Sequence, residues 1–486
     1  MRAQFVTRAL ALVLASTFLA ACNSGTRKST SAAVVAPVTS GTTSPTTSGS
    51  TGGVGSSQAA IRPDFGGQVA TLGSAAPVAA SLELGAYRAF RESQAVSDLV
   101  IPDVPGLRDR LFAVEDTGFV RVLSLTGPAP TLDRALPLAA APLPAGVATG
   151  ALVIHDERTA LVTASGQGGE AVYRFDPRTA RTAQDVLRYD IGAITVTWPA
   201  GTRDSKGVDV GGRALPLTFT SGAALVGDRL FVTCSNLDAS FDLRPGTMLA
   251  LDLDPQTGAL LPGGAVLKTT DFNPTAVTRV QTAAGPVLLV TNSGVYGAGP
   301  SSVDVVDPLS LRLLGTIPLG ARNAHGRVTV SPDGARGYLP GQSSPDVYVL
   351  DLEGLDATLA NMAPADLSAR FLGGVALAGP AGGLVSSLAL SHTGRYLYAI
   401  DFNASALWVV DLANPEGIAA RVAGFARSGL PANFEGLANG VAVRPGVPGV
   451  DYQGPSIHVL TMNLAAADQT IANVRVALDR VTVDRH

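Results

Sequence analysis

An all-β domain made of repeated units of four short antiparallel strands is what this sequence predicts, on three observations. The 486-residue chain carries 54 glycines and 32 prolines beside 46% hydrophobic residues, and its apolar runs are short, β-branched and bounded by turn formers. No stretch sustains a helical period. One strand-like block, ending in a turn-forming polar residue, returns along the chain.

That block reads Val120-Arg121-Val122-Leu123-Ser124, Val172-Tyr173-Arg174-Phe175-Asp176, Met248-Leu249-Ala250-Leu251-Asp252 and Val303-Asp304-Val305-Val306-Asp307. It continues as Val347-Tyr348-Val349-Leu350-Asp351, Leu407-Trp408-Val409-Val410-Asp411 and Ile457-His458-Val459-Leu460-Thr461, seven copies in all. Before most copies stand two further strands joined by a tight turn, as in Arg327 to Val330, Ser331-Pro332-Asp333-Gly334, Arg336 to Leu339. Proline presets φ in such a turn and glycine takes the positive φ. After the block, Asp-Pro turns such as Asp176-Pro177-Arg178-Thr179 lead to a fourth strand. Seven such units of roughly 45 to 60 residues predict a seven-bladed β-propeller over residues 61–486. Gln68 to Leu72 or Val474 to Val483 is expected to supply the outermost strand of the last blade. Closure using both chain ends is favoured, because an open ring leaves a sheet interface unfilled.

Ahead of this domain, Arg2 and Arg8 precede a short apolar run that ends in Leu19-Ala20-Ala21-Cys22. A charged start, an apolar middle and small residues before the cut site predict a signal peptide over residues 1–21. The ending resembles the bacterial lipoprotein signal. That resemblance implies that Cys22 accepts lipid and becomes the mature N-terminus, and Asn23, where an Asp would favour inner-membrane retention, implies the outer membrane. Residues 22–60 are nearly all Ser, Thr, Gly, Ala and Val, which predicts a flexible linker.

The repeats resemble the YVTN-type propeller units of bacterial and archaeal surface proteins. The likeness rests on Leu289-Val290-Thr291-Asn292, Val305-Val306-Asp307-Pro308, Thr316-Ile317-Pro318-Leu319-Gly320 and Ser331-Pro332-Asp333-Gly334, which follow the order of that repeat. It is strongest over about 274–412, with Leu289 in place of the signature tyrosine. It implies a fold rather than an activity, since propellers host many functions.

Net charge is −4 and there is no basic cluster, so a nucleic-acid partner is not expected. With Cys22 committed to lipid, Cys234 has no disulfide partner and reads as a small core residue within Leu230 to Cys234. His155 and His392 fall in first turns, His458 in a core slot, and the recurrent strand-end Asp reads as a turn cap.

Strand direction alternates within a blade, so the entrances to the first strands share one face with the second-to-third connections. Asp98, Thr149, Ser221, Asn273, His325, Ser386 and Asn439 stand at these entrances and are the candidate ligand-binding residues at the channel mouth. Two connections on that face, Asn236 to Gly246 and Asn292 to Ser301, are long, and long loops on rigid scaffolds carry binding. The stretch Trp198 to Gly207 lengthens the approach to the third unit as a surface lid, a partner epitope or a tolerated insertion. The expected function is a cell-envelope lipoprotein that binds or scaffolds an envelope protein, held to the membrane by its N-terminal lipid. No cofactor is expected. The alternative is a metal-dependent hydrolase: the architecture also resembles lactonase and gluconolactonase-like propellers, a likeness that implies Ca²⁺ or Mg²⁺ at Asp98, Asn273 and Asn439.

Overall fold

The structure, a computed structural model, describes the strands Val69–Thr71 and Tyr87–Arg88, then residues 96–413 apart from short stretches within loops. Beyond these it describes 418–422, 437–444, 457–463, 468–474, 477–478 and 481–482. The signal peptide expected at 1–21, the lipid-accepting Cys22 and the linker to residue 60 lie outside the described residues.

Each run of four strands folds into an antiparallel meander, and the meanders stand around an axis as the blades of a β-propeller. Blade 1 spans residues 96–137, blade 2 148–190, blade 3 220–272, blade 4 274–318, blade 5 329–376 and blade 6 385–422. A composite sheet closes the ring. Its strands Leu437–Val443, Ile457–Asn463 and Asp468–Val474 are completed at the outer edge by Tyr87–Arg88, with Tyr87 opposite Ile471. The count expected from the repeats is corrected accordingly: six blades, not seven, are complete within one stretch of chain, and the closing sheet draws on both ends of the domain.

Neither stretch expected to supply the closing strand does so. Val69–Thr71 lies parallel on the outer edge of blade 5, with Val69 opposite Gly374, and Ala477–Leu478 pairs with Val481–Thr482 in a small hairpin. Reach explains the difference. Seven residues separate Arg88 from Val96, ample to cross the three strand spacings, about 14 Å, from a sheet's outer edge to the next blade's inner strand.

Apolar runs such as Leu111-Phe112-Ala113-Val114 and Leu230-Phe231-Val232 are fully buried, because middle strands are covered on both faces by neighbouring blades. Outer strands such as Val186–Asp190 are wetter and more polar. The core is therefore a set of wedges between blades. Phe112 and Val122 meet Val162 and Tyr173 between blades 1 and 2; Tyr338 and Val349 meet Leu397 and Trp408 between blades 5 and 6. Leu111 and Leu123 meet Ala442 and Leu460, which seals the closing sheet to blade 1.

On the face carrying the first turns and the Asp turns, here the lower face, arginines tie one blade to the next. Arg134 donates to the Pro177 carbonyl, Arg174 to Thr257 O at 2.6 Å and Arg229 to Pro308 O at 3.3 Å. Arg444 donates to the Leu125 carbonyl across the ring closure.

Six inner strands, all but that of blade 5, share one irregularity near their entrances on the upper face. Register slips between Val96 and Asp98, Thr149 and Leu152, Thr220 and Ala223, Pro274 and Ala276, Val385 and Ser387, and Ala438 and Gly440. Such bulges re-aim side chains, and here they decide which polar residues reach the axis.

Candidate functional site: the axial cavity and the upper face

The inner strands enclose an axial cavity of about 360 Å³. Much of its wall is small or polar: Ser97 and Asp98 from blade 1, Gly150, Ser221 and Gly222, Thr275, Gly326 with Arg327, Ser386 with Ser387, and Gly440. Much of this smallness serves packing. Ser97 Oγ donates to Gly150 O at 3.1 Å and Ser221 Oγ to Pro274 O at 2.6 Å. Gly326 N donates to Thr275 Oγ1 at 3.1 Å and Val441 N to Ser387 Oγ at 3.2 Å. Each bond joins an inner strand to the next. Glycine is required where those strands touch: a Cβ on Gly222 would lie 2.5 Å from Ala276 Cα.

Of the seven candidates, Asp98, Ser221 and Ser386 line the cavity. Asp98 is a saturated acceptor. Its Oδ2 takes Leu152 N and Arg327 Nη2, both at 2.8 Å, and its Oδ1 takes Leu99 N at 3.0 Å and Arg327 Nη1 at 3.4 Å. Ser386 Oγ has no hydrogen-bond partner. Thr149, Asn273 and His325 are not part of the cavity wall. Thr149 is buried and donates to the Glu115 carbonyl. Asn273, at φ 53, is buried and accepts Ser235 Oγ at 2.8 Å. Asn439 belongs to the strand Leu437–Val443, and its side chain lies outside the described residues. Asp98 and Asn273 thus point into separate hydrogen-bond networks. Among the described residues, no group of three or more His, Cys, Asp and Glu side chains is arranged to hold a metal ion.

His325 sets its Nε2 2.9 Å from Val385 O, tying the approach of blade 5 to blade 6. Desolvation lowers its pKa from the ordinary 6.5, and the bond to Val385 opposes that in part. The fold therefore holds the neutral ring: its contribution is complete above pH 6.5 and is lost as pH falls through the lowered folded value. His325→Gln is expected to flatten the fall in melting temperature between about pH 7.5 and pH 5, read as the wild-type minus variant difference at each pH.

On the upper face the Trp198 insertion is a docked hairpin. Thr195–Thr197 pairs with Ala214–Pro216, and Trp198 is buried with Leu217, Val232 and Leu249. The hairpin is bound to the second-to-third connection of blade 3. Ser205 N donates to Leu243 O at 2.8 Å, Leu243 N to Ser205 Oγ at 3.1 Å, and Lys206 Nζ lies 2.6 Å from Asp242. Asp238 Oδ1 caps that connection from within, taking Ser240 N at 2.7 Å and Asp242 N at 3.0 Å. At its tip Phe241 stands 60% exposed, at φ 62, 5.9 Å from the ring of Phe219, itself at φ 55. A left-handed backbone costs a non-glycine residue on the order of 1 kcal/mol or more. Two neighbouring aromatics carry that cost here, and one of the two rings faces water.

Phe241 and Arg327 were not among the sequence candidates. An aromatic amid Asp and Ser in a long connection, and a lone cation directly after His325-Gly326, are the signals that could have raised them. Cys234 matches its reading: it is buried, and desolvation pushes its thiol up to about 12.

No protein-family model and no curated protein matches this chain. Among solved structures it is similar to the β-propeller domain of Cps50 (Swd1) from Myceliophteria thermophila, at 13% identity and TM-score 0.48, over 82% of this chain and 100% of that one. It is also similar to the WD40 domain of Pan2 from Neurospora crassa, at 11% identity and TM-score 0.44, over 81% and 92% of the two chains. The propeller architecture stands on the chain's own sheet order and inter-blade contacts.

Proposed function

We propose that this chain is a bacterial envelope lipoprotein of the YVTN-propeller kind that binds a protein partner through its upper face. Lipid on Cys22 holds it to the outer membrane. The observation that carries the binding role is the rigid display of Phe241. Its loop is capped by Asp238, welded to the neighbouring hairpin through Ser205 and Lys206, and held at positive φ. Preorganised aromatics of this kind dominate protein interfaces, because little side-chain freedom remains to be lost on binding.

The test is a photo-crosslinking phenylalanine analogue placed at position 241 in cells. A discrete protein adduct is expected, with none from the same analogue at Leu309, an exposed position on the lower face. Phe241→Ala should abolish capture of that partner while shifting the melting temperature by less than about 2 °C. Equal adducts at both positions would remove the binding role. A Cys22→Ser protein that stays in the membrane fraction would remove the anchor.

A further inference from the structure

We infer that the axial cavity is a binding site for a short aliphatic monocarboxylate, with Arg327 as the group that holds its carboxylate. The cavity, at about 360 Å³, falls at the lower end of the ~300–1,000 Å³ range of small-molecule sites. Among the described residues its wall carries one cation and one anion, Arg327 and Asp98, and no aromatic side chain. A guanidinium has five N–H donors in a planar fork. Asp98, on blade 1, reaches across the axis and takes hydrogen bonds from Nη1 and Nη2, leaving 40% of the Arg327 side chain open. Asp98 itself is filled by Leu99 N, Leu152 N and these two bonds, so it positions the guanidinium and offers a ligand little further acceptance.

The donor balance of the wall points the same way. Ser97 and Ser221 spend their hydroxyl protons on backbone carbonyls, and Ser386 Oγ, buried in the wall, has no partner. Arg327 therefore supplies the charged donors to an incoming oxygen, and Ser386 is a hydroxyl donor not yet spent. The ligand's charge is bounded by Asp98, which already neutralises the guanidinium: one further negative charge is tolerable and two are strongly opposed. Beside the polar wall, Leu99, Ala151, Ala276, Leu388 and Val441 provide an apolar surface for a few methylenes. The site is separate from Phe241, and its fate is independent of the partner reading above.

Isothermal titration of the whole chain with sodium butyrate, at ionic strength matched with chloride, tests the assignment, with inorganic phosphate as a second arm. Saturable butyrate binding is expected, weakened at least tenfold by Arg327→Gln. Arg327→Lys keeps the charge but loses the fork, and should weaken binding several-fold; it carries the test if the glutamine variant melts early. The assignment is overturned if wild type shows no saturable butyrate binding, if either variant binds as wild type does, or if phosphate is preferred to butyrate.

Discussion

Gly222→Ala is expected to destabilise the domain by roughly 2–4 kcal/mol, measured as a fall in the urea midpoint at unchanged slope. The cost is steric. The new Cβ would sit 2.5 Å from Ala276 Cα and 2.8 Å from Val277 N, backbone atoms of the next inner strand that cannot rotate away. Blades 3 and 4 must part, which loosens the wedge of Ala224, Phe231 and Met248 against Val277, Leu288 and Val290. Gly440→Ala is the control. Its Cβ would meet nothing nearer than Leu460 Cβ at 3.6 Å, an ordinary contact, and the change should stay within about 1 kcal/mol of wild type. A Gly222→Ala protein as stable as wild type would show that inner strands can slide apart freely.

Arg444→Ala should cost about 2–4 kcal/mol, because it removes a buried charged donor and leaves its acceptor unpaired. Arg444 is 1% exposed, donates to the Leu125 carbonyl and lies 3.4 Å from Asp109 Oδ1. It joins the last sheet to the first blade, so its loss weakens the seam where the ring shuts. The same replacement at Arg229, which reaches Pro308 O at 3.3 Å from a more exposed position, should cost under about 1 kcal/mol. Urea denaturation of the two variants side by side checks the ranking, and an equal cost would mean that exposure does not govern these ties.

Much of the fold could be read from local pattern. Strand-end aspartates cap turns as expected in four blades: Asp176 Oδ1 takes Arg178 N at 2.8 Å, Asp307 takes Leu309 N at 3.0 Å, Asp351 takes Glu353 N at 3.2 Å and Asp411 takes Ala413 N at 3.0 Å, whereas Asp252 accepts Arg229 Nε at 2.6 Å instead. His155 sits at a lower-face turn, 3.3 Å from Asp228, and His458 is buried, both in keeping with their slots in the repeat. What failed to show was set by residues far apart. Tyr87–Arg88 has no periodicity to mark it as a strand, and the edge it fills is made by Asp468–Val474. The entrance residues could be placed on a face but not aimed. A bulge near six of the entrances breaks the alternation of two by which inward and outward positions are told apart, so Asp98 reaches the axis while Thr149 and Asn273 turn to their neighbours. The Arg327 to Asp98 pair spans blades at opposite sides of the axis, beyond any local motif.

The composite closing sheet also imposes an order in time. Ribosomes make a chain from its first residue to its last, so Tyr87–Arg88 emerges early and has no partner until Asp468–Val474 has been made. Until then the nascent domain is an open arc with one bare edge at each end. Tyr87–Arg88, made before all six blades, is among the last strands to pair, and the arc becomes a ring only once Asp468–Val474 has been made.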